Sequence, residues 1–506
     1  MTSSADRRRR PAGVWVARLA AIATLGLGGC QSFAEGGAAS PAPALSMGAF
    51  SDAALLTDGT LVAAGHTGVD GSRNIAVVGF DDVGRPRWLA EEAIEPTVDA
   101  RAEAVEVDAA GRVVVIGNVL AVDGSRGLVM AFGADGERLW ETEPWLDGSA
   151  ELYGLALAGG DAFVTGFARR TAADPDLPPE QGVLVARIDT ASGVVVWKDV
   201  AQLTVDPLHM SAGLSVAFDG TGVVGVAGVV GFPDSSVAWF VAEWSADGAP
   251  RWEQLRDGGS RLGGGSLETG QIDVAREVAF DPSGDLYVVG DLSAPDARGT
   301  DLSLVKLAAD GAERWTFRRD EVVPAGLPSF DEGHALAIGP DGPCVAGGLA
   351  RALGEDVISE GIAASLSLDG AVRWVNALSS PSLAGEEVTD LAVDADGLVV
   401  YGGADSNDPA GERLVVEQVG RSGAAVWTSH LGDDEASATA GRVNRILIGG
   451  DGDVFAVGFD RERHDVPSEP LAVRLDRATG ELSWVYPAGL GARLTTHRGG
   501  AALERP

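Results

Sequence analysis

The side chains best suited to nucleophilic or metal chemistry are few, and they do not fall into a known spacing. The chain has six histidines and two cysteines. No two histidines stand in the i, i+4 or H-E-x-x-H spacing that binds zinc from a helix. No G-x-S-x-G turn or phosphate-binding loop occurs in a strand–turn–helix setting. The sequence therefore predicts no catalytic residue, no metal ligand and no cofactor. The histidines are His66, His209, His334, His430, His464 and His497.

Acidic turns are a second candidate for ligand chemistry, because carboxylates bind calcium. Asp394-Ala395-Asp396-Gly397 and Asp451-Gly452-Asp453 are the densest of them. Neither has the twelve-residue alternation of oxygen ligands, closed by a glutamate, that an EF-type loop needs. Both stand where a tight turn favours Asp and Gly for backbone reasons. We interpret them as turns, with structural calcium between acidic loops as the open alternative.

Cys30 ends the N-terminal leader of the chain. Four arginines precede an apolar run, Val14–Leu27, which is too short for a stable membrane-spanning helix and has the layout of a secretory signal. The segment Leu27-Gly28-Gly29-Cys30 resembles the bacterial lipobox. The resemblance implies that Cys30 is diacylated and becomes the mature N-terminus. We therefore predict a lipoprotein signal peptide over residues 1–29 and a lipidated flexible tether over residues 30–48, bound to a membrane through its lipid.

The residues around this anchor carry two further expectations. In a two-membrane bacterium the known inner-membrane retention signal is Asp after the cysteine, so Gln31 implies the outer membrane. Export by the Sec or the twin-arginine route stays open. With Cys30 acylated, Cys344 is alone, and the mature chain has no intramolecular disulfide. Its apolar surroundings predict that Cys344 is a small buried hydrophobic residue.

The charge of the chain excludes one class of partner. Asp and Glu number 74 against 38 Lys and Arg, which gives a formal net charge of −36. Such a field repels phosphate backbones, so we expect no nucleic-acid binding. No other segment reaches about 18 unbroken apolar residues, so no transmembrane helix is expected. We expect a monomer.

Two markers alternate along the chain and divide it into eight units. The first is a tryptophan four residues after a glycine, repeated about every 57 residues. The second is a pair of glycines six residues apart that bracket an apolar run, such as Val113–Ile116 between Gly111 and Gly117. Each unit contains four short strands, A to D, with Asp/Gly turns between A and B and between C and D. The tryptophans are Trp88, Trp140, Trp197, Trp252, Trp315, Trp374, Trp427 and Trp484.

Repeated units of four antiparallel strands predict an all-β fold, an eight-bladed β-propeller over residues 49–487, followed by a C-terminal tail over 488–506. One large flat side chain per unit can pack each blade against the next, so we assign the eight tryptophans to blade docking. A seven-bladed ring is the alternative, because the first strand A (Ala53–Leu56) is the weakest. Nothing after Tyr486 is strand-like, so the ring closes with its own strands or borrows one from residues 42–50.

The repeats resemble known propeller families. Asp189–Trp197 and Asp476–Trp484 look like the tryptophan-docking motif of PQQ-type eight-bladed propellers, and Ile272–Trp315 resembles the bacterial β-propeller repeats (SBBP-type) of secreted proteins and lipoproteins. The resemblance implies architecture and not activity, because propellers carry many functions. PQQ dehydrogenases hold a calcium-bound quinone under a vicinal disulfide, which this chain lacks. Ser245–Trp252 and Ser367–Trp374 approach the Asp box of sialidase-type propellers but depart from it at two positions, so we interpret them as β-turns.

Two functions from different classes follow. The first is a non-catalytic propeller that binds a protein or a glycan. The alternative is an enzyme, either a PQQ-type oxidoreductase or a glycan-cleaving hydrolase. The lack of vicinal cysteines, intact Asp boxes and metal spacing favours binding. A cluster of Asp, Glu and Arg that converges on the central channel with perturbed pKa values would favour the enzyme.

Loop lengths predict which face of the propeller binds. In an antiparallel blade the A–B and C–D turns share one end, and the B–C loops and D-to-A connections share the other. The first end is uniform, whereas the second varies most in residues 167–182 and 253–273. Variable loops on a rigid scaffold are where recognition usually lies, although tolerated drift explains them equally well. We predict that the protein or glycan partner binds there.

Overall fold

A computed structural model describes the chain from Gly48 to Arg498, with gaps. Residues 1–47 lie outside the described residues, so the predicted signal peptide, Cys30 and the tether do too. Within the described part, no helix is long and apolar enough to cross a membrane. The described ranges are 48–68, 72–92, 99–121, 124–170, 180–204, 211–232, 237–256, 273–293, 299–320, 329–353, 356–378, 386–405, 413–431, 441–460, 468–487 and 494–498.

The described chain forms eight sheets, each with four antiparallel strands in chain order, A innermost and D outermost. Blade 1 is β1 (Gly48–Leu55), β2 (Leu61–Thr67), β3 (Asn74–Phe80) and β4 (Pro86–Glu92), and blade 2 is β5 (Asp99–Val107), β6 (Val113–Ala121), β7 (Gly124–Phe132) and β8 (Arg138–Thr142). Blade 3 is β9 (Ala150–Ala158), β10 (Asp161–Arg170), β11 (Glu180–Asp189) and β12 (Val195–Thr204), and blade 4 is β13 (Ala212–Phe218), β14 (Val223–Gly231), β15 (Val237–Ser245) and β16 (Pro250–Arg256). Blade 5 is β17 (Val274–Phe280), β18 (Leu286–Ser293), β19 (Gly299–Leu307) and β20 (Glu313–Arg319), with the short extra strand β21 (Ser329–Phe330), and blade 6 is β22 (Glu332–Gly339), β23 (Gly342–Leu353), β24 (Asp356–Leu366) and β25 (Val372–Ala377). Blade 7 is β26 (Glu386–Val393), β27 (Val399–Asp405), β28 (Arg413–Val419) and β29 (Ala425–Leu431), and blade 8 is β30 (Arg442–Ile448), β31 (Val454–Asp460), β32 (Glu469–Leu475) and β33 (Leu482–Tyr486). A last strand, β34 (Leu494–Arg498), follows blade 8 in the chain.

These sheets are the eight blades of a closed propeller, which confirms the eight-bladed prediction and sets aside the seven-bladed one. The eight A strands contact one another in a ring, and β1 contacts β30, β31 and β32 where blade 8 meets blade 1. The N–H of Gly48 donates to the carbonyl of Ser468 at 2.8 Å across this junction. Blade 8 supplies its own four strands, and β1 is strand A of blade 1, so no strand is borrowed.

One expectation about the C-terminal tail is wrong. Leu494–Arg498 forms β34, which pairs antiparallel with β29 and becomes a fifth strand on the outer edge of blade 7. An outer strand presents unpaired N–H and C=O groups that another segment can bond. Scanning for a period of 57 residues misses such a strand, because it belongs to no repeat.

Apolar packing lies between the blades. Eight clusters of buried side chains each combine residues of two neighbouring blades, one cluster per junction. β6 shows why these strands read as unbroken apolar runs: Val113, Val114, Val115 and Ile116 are all fully buried, two facing each neighbour. Burial on both faces removes the alternation that a half-exposed strand would show.

A tryptophan and a glycine meet at every junction between blades. Trp88 on β4 stacks on Gly136 of blade 2, where a Cβ would lie 2.6 Å from the indole Cδ2, and its Nε1 donates to Ala134 O at 3.0 Å. Gly136 has φ of +84°, which a residue with a side chain rarely adopts. Each glycine thus receives the tryptophan of the preceding unit. The other pairs are Trp140–Gly193, Trp197–Gly248, Trp252–Gly311, Trp315–Gly370, Trp374–Gly423, Trp427–Gly480 and Trp484–Gly84.

A β-bulge in each strand A sets which side chains face the channel. In β9 the bulge lies opposite Gly166 of β10, and a Cβ on Gly166 would collide with the carbonyl oxygen of Glu151. The closing glycine of strand B makes room for this close approach in seven blades, and in blade 6 the glycine before it, Gly347, does so. The extra residue of a bulge re-aims the side chains that follow it.

Candidate functional site

Charged side chains from five blades meet in the central channel. Arg445 is the centre: its Nε lies 3.2 Å from Asp52 Oδ1 and its Nη1 lies 3.8 Å from Asp390 Oδ1. Glu277 and Glu106 also interact electrostatically with Arg445. All but Glu106 occupy the position directly after the bulge of their strand. The side chain of Arg445 keeps 39% of its surface exposed, so solvent enters the channel at this depth. We call these five residues the channel cluster.

The four carboxylates of the channel cluster also fasten neighbouring A strands together. Each accepts a backbone N–H from strand A of the next blade, and this pairing recurs around the ring. Charge-assisted bonds of this kind are the stronger class of hydrogen bond. The cluster therefore has a structural role that is independent of any ligand. The bonds are Val105 N–H to Asp52 at 2.8 Å, Leu157 N–H to Glu106 at 2.8 Å, Leu336 N–H to Glu277 at 2.6 Å and Ile446 N–H to Asp390 at 2.6 Å.

Burial in the channel perturbs the titration of these carboxylates. Burial raises the pKa of Glu106 and of Glu277 to about 7, and that of Asp390 to about 6. The carboxylates of Asp52 and Asp390 in turn raise the pKa of Arg445, so the guanidinium stays charged. This is the kind of channel cluster that favours an enzyme, because groups that titrate near neutral pH serve in acid–base catalysis.

The mouth of the channel, formed by the first residues of the A strands, holds more charged groups. On blades 2 and 3, Arg101 Nε lies 2.5 Å from Glu103 Oε1, and the hydroxyl of Tyr153 donates to Glu151 at 2.8 Å. Burial raises the pKa of Glu151 and of Tyr153 above their usual values. The B–C loops and D-to-A connections open on this same side, which we call the connection face.

A second group at the mouth joins blades 5, 6 and 7. His334 Nε2 lies 2.7 Å from Glu387 Oε1 and 3.5 Å from Glu332 Oε2. Arg276 Nη2 lies 2.6 Å from Asp291 Oδ2 and 3.4 Å from Glu332 Oε2. Burial raises the pKa of Glu332. We call these five residues the His334 cluster.

Two groups of three potential ligands occur among the described residues, each with its ligand atoms within 4.8 Å of one another. One is Glu332, His334 and Glu387. The other is Asp301, Asp320 and Asp331, where Asp301 also pairs with the guanidinium of Arg318 at 3.2 Å. The spacing of residues in the sequence did not predict either group, because each draws its residues from segments that are far apart in the chain. The glutamate two residues before His334 was the local signal.

The opposite side, which we call the turn face, carries the A–B and C–D turns. Most of these turns repeat one pattern, as where the N–H groups of Asp81 and Gly84 bond the carbonyls of Arg85 and Asp81. Blade 3 departs from it with a tight A–B turn at Gly159 and Gly160. An open groove of about 580 Å³ lies there between blades 3 and 4. Its floor is the stacked pair Phe163 and Phe218, with ring centroids 5.3 Å apart.

The other residues singled out by sequence fall as follows. Cys344 lies on β23, 3% exposed, and burial raises its pKa to about 11, so it is an unreactive core residue. Two tryptophans outside the docking series, Trp239 and Trp244, are also buried, on β15. Of the two variable loops, residues 171–179 and 257–272 lie outside the described residues.

Within the described ends of those loops, two polar contacts hold the strands. Arg169 Nη2 donates to Gln181 Oε1 at 2.9 Å, and Arg256 Nη2 lies 2.6 Å from Glu313 Oε2. Trp145, in the connection between blades 2 and 3, lies under the Nζ of Lys198 at 4.9 Å, and its neighbour Leu146 is 74% exposed. The connection face therefore presents cationic and apolar surface beside the charged mouth, with Trp145 buried beneath it.

No protein-family model matches the chain, and neither does any curated protein. Among solved structures, Chaetomium thermophilum Sqt1 bound to the N-terminus of ribosomal protein L10 is 14% identical, covers 81% of this chain and 94% of its own, and has a TM-score of 0.46. A puromycin hydrolase mutant in complex with PGG is 13% identical over 83% of this chain and 58% of its own, with a TM-score of 0.44. The WD40 domain of SCAP from fission yeast is 8% identical, covers 87% of this chain and 98% of its own, and has a TM-score of 0.41. Likeness at this level assigns no activity.

Proposed function

We propose that the chain is an exported, lipid-anchored scaffold whose propeller binds a protein or glycan on its connection face. The observation that carries this proposal is the difference between the two faces. The turn face is built from short, mostly uniform turns. The connection face carries all the variable loops, the charged channel mouth and the exposed Leu146 beside Trp145. Specific recognition needs such mixed, non-repeating surface.

The location in this proposal rests on the leader sequence. The order of arginines, apolar run, small residues and Cys30 supports export and lipidation, and Gln31 supports the outer membrane. A lipid on a flexible tether leaves the propeller free to turn its connection face toward a partner. Binding without catalysis is supported by the carboxylates of the channel cluster, each already bonded to a neighbouring strand.

Site-specific photo-crosslinking in the native host tests the proposal. A benzophenone amino acid placed at Leu146, which is 74% exposed on the connection face, should give a discrete crosslinked product. The matched control is Val194, which is 59% exposed on the turn face and should give none. Protease and glycosidase treatment of the product then tells a protein partner from a glycan. Equal products from both positions, or a product from Val194 alone, would refute the assignment of the face.

One observation favours a second function, a glycan-cleaving hydrolase. Glu106 and Glu277 carry raised pKa values of about 7 in an open channel, which suits a carboxyl group to act as the general acid of glycan cleavage. If the channel is catalytic, Glu106→Gln and Glu277→Gln should each lower the rate of glycan hydrolysis by about 100-fold or more. Glu313→Gln, on the outer strand β20, is the control. Wild-type protein that cleaves no oligosaccharide of a broad panel excludes this function.

A further inference from the structure

The His334 cluster brings several carboxylates to one partly buried place. Asp291 and Glu332 lie against the guanidinium of Arg276, and Glu332 and Glu387 lie on either side of the imidazole of His334. Carboxylate and imidazole groups that converge in this way are the ligand types that a divalent metal ion takes in proteins.

His334 supplies an independent observation that points to the same conclusion. Its side chain is only 9% exposed, and Nε2 is directed between the two glutamates. Although Glu387 Oε1 lies 2.7 Å away, Nε2 forms no hydrogen bond of acceptable geometry with any described residue. A buried ring nitrogen without such a bond is rare in folded proteins.

The donor set suits one kind of ion. We propose that Glu332, His334 and Glu387 bind a divalent first-row transition-metal ion, such as zinc, at the mouth of the channel. One imidazole with two carboxylates is a set that zinc accepts, and three protein ligands leave a fourth position open. Ligand atoms around a tetrahedral zinc are about 3.3 Å apart, and the three atoms here lie within 4.8 Å of one another, so small side-chain shifts suffice.

The surroundings fit this assignment. Glu332 and Glu387 keep 22% and 21% of their surface exposed, which gives an ion a path from solvent. Arg276, held by Asp291, orients Glu332, and a hydrogen-bonded neighbour of this kind typically fixes a metal ligand in place. Because the ligands come from β22 and β26, the ion would join blades 6 and 7 at the site where the proposed partner arrives.

Calorimetric titration of the purified full-length chain, stripped with EDTA, with zinc chloride tests the proposal. One equivalent should bind to the wild type. His334→Gln and Glu387→Gln should each weaken binding by about 100-fold or more, since even a residue behind the ligands changes affinity 10–100-fold. His66→Gln, on β2 of blade 1 and outside both ligand groups, is the matched control and should bind like the wild type.

Thermal unfolding separates loss of the site from loss of the fold. Zinc should raise the unfolding midpoint of the wild type and of His66→Gln, because a ligand that binds only the folded state stabilises it. It should leave the midpoint of His334→Gln unchanged while circular dichroism shows that variant folded. Undiminished binding by both ligand variants, no saturable binding by the wild type, or binding lost only in Asp331→Asn would each overturn the assignment. None of these readouts depends on the proposed partner.

Discussion

Gly136 and Gly111 offer a direct test of how the blades are joined. Both lie in turns of blade 2 with nearly the same backbone, φ of +84° and +79°. A Cβ on Gly136 would lie 2.6 Å from Cδ2 of Trp88, whereas one on Gly111 would meet nothing within 4 Å. The same substitution, glycine to alanine, therefore changes the backbone equally at both sites and the contact between blades at only one.

The expected magnitudes follow from these two effects. An alanine held in the left-handed region costs about 1–2 kcal/mol, which is the whole effect at Gly111. Gly136→Ala carries this cost and must also displace the indole of Trp88, and overpacking of this kind costs about 1–3 kcal/mol more. Trp88→Leu removes the ring and should relieve that second part, so the double variant should show a coupling of about 1–3 kcal/mol.

Urea unfolding followed by far-ultraviolet circular dichroism measures these free energies without relying on tryptophan fluorescence. A second probe that gives the same transition licenses two-state analysis for a domain of this size. Equal losses of unfolding free energy for Gly111→Ala and Gly136→Ala would refute the docking account. So would a loss at Gly136 that is unchanged when Trp88 is leucine.

Three further predictions test the interior and the anchor. Burial raises the pKa of Glu243 from 4.5 to about 7, so the folded chain retains a proton at this side chain that the unfolded chain releases between these values. In urea titrations at pH 5 and 8 the wild type should lose up to about 3 kcal/mol more unfolding free energy than Glu243→Gln, whereas Glu106, Glu277 and Asp390 lower the stability of both proteins alike, so equal losses would contradict this. Lys306→Met should lower the unfolding free energy by about 3–5 kcal/mol, because it leaves the buried carboxylate of Asp281, 3.0 Å from Lys306 Nζ, without that cation. Arg87→Met, which breaks an exposed pair with Asp58 at 3.8 Å, should lower it by less than about 1 kcal/mol, and equal losses would contradict this. Cys30→Ser should move the protein from the membrane to the soluble fraction, and an unmodified mature N-terminus away from Cys30 in mass spectrometry would refute lipidation.

The residues that repeat periodically along the sequence were sufficient to predict most of the fold. Trp88 and Gly136 each recur once per unit, so they mark blade number and strand order without any knowledge of contacts. What the period cannot show is which partners meet across a junction. Trp88 docks on the glycine of the following unit and not on the one four residues before it, because the ring places consecutive units side by side.

The candidate sites could not be predicted from the sequence, for a related reason. Asp52 and Arg445 meet in the channel although they stand at opposite ends of the propeller sequence, and only the bulge before each aims it inward. His334 and Glu387 likewise come from successive blades. Motifs defined by short spacing describe sites on one helix or one loop. A propeller builds its sites from residues of several blades, and the sequence signal that could be used is a charged residue inside an otherwise apolar strand A.

The central claim is that the connection face binds the partner, and shortening its variable loops tests it most directly. In the variant, only the parts of these loops between β10 and β11 (residues 171–179) and between β16 and β17 (residues 257–272) are shortened, toward the loop lengths of blades 1 and 2, and partner capture is quantified from the native host. The account predicts that capture is lost while circular dichroism and the unfolding midpoint stay as in the wild type. Val83→Ser and Val194→Ser, exposed on the turn face, should capture normally. Undiminished capture by the shortened variant would show that the partner binds elsewhere.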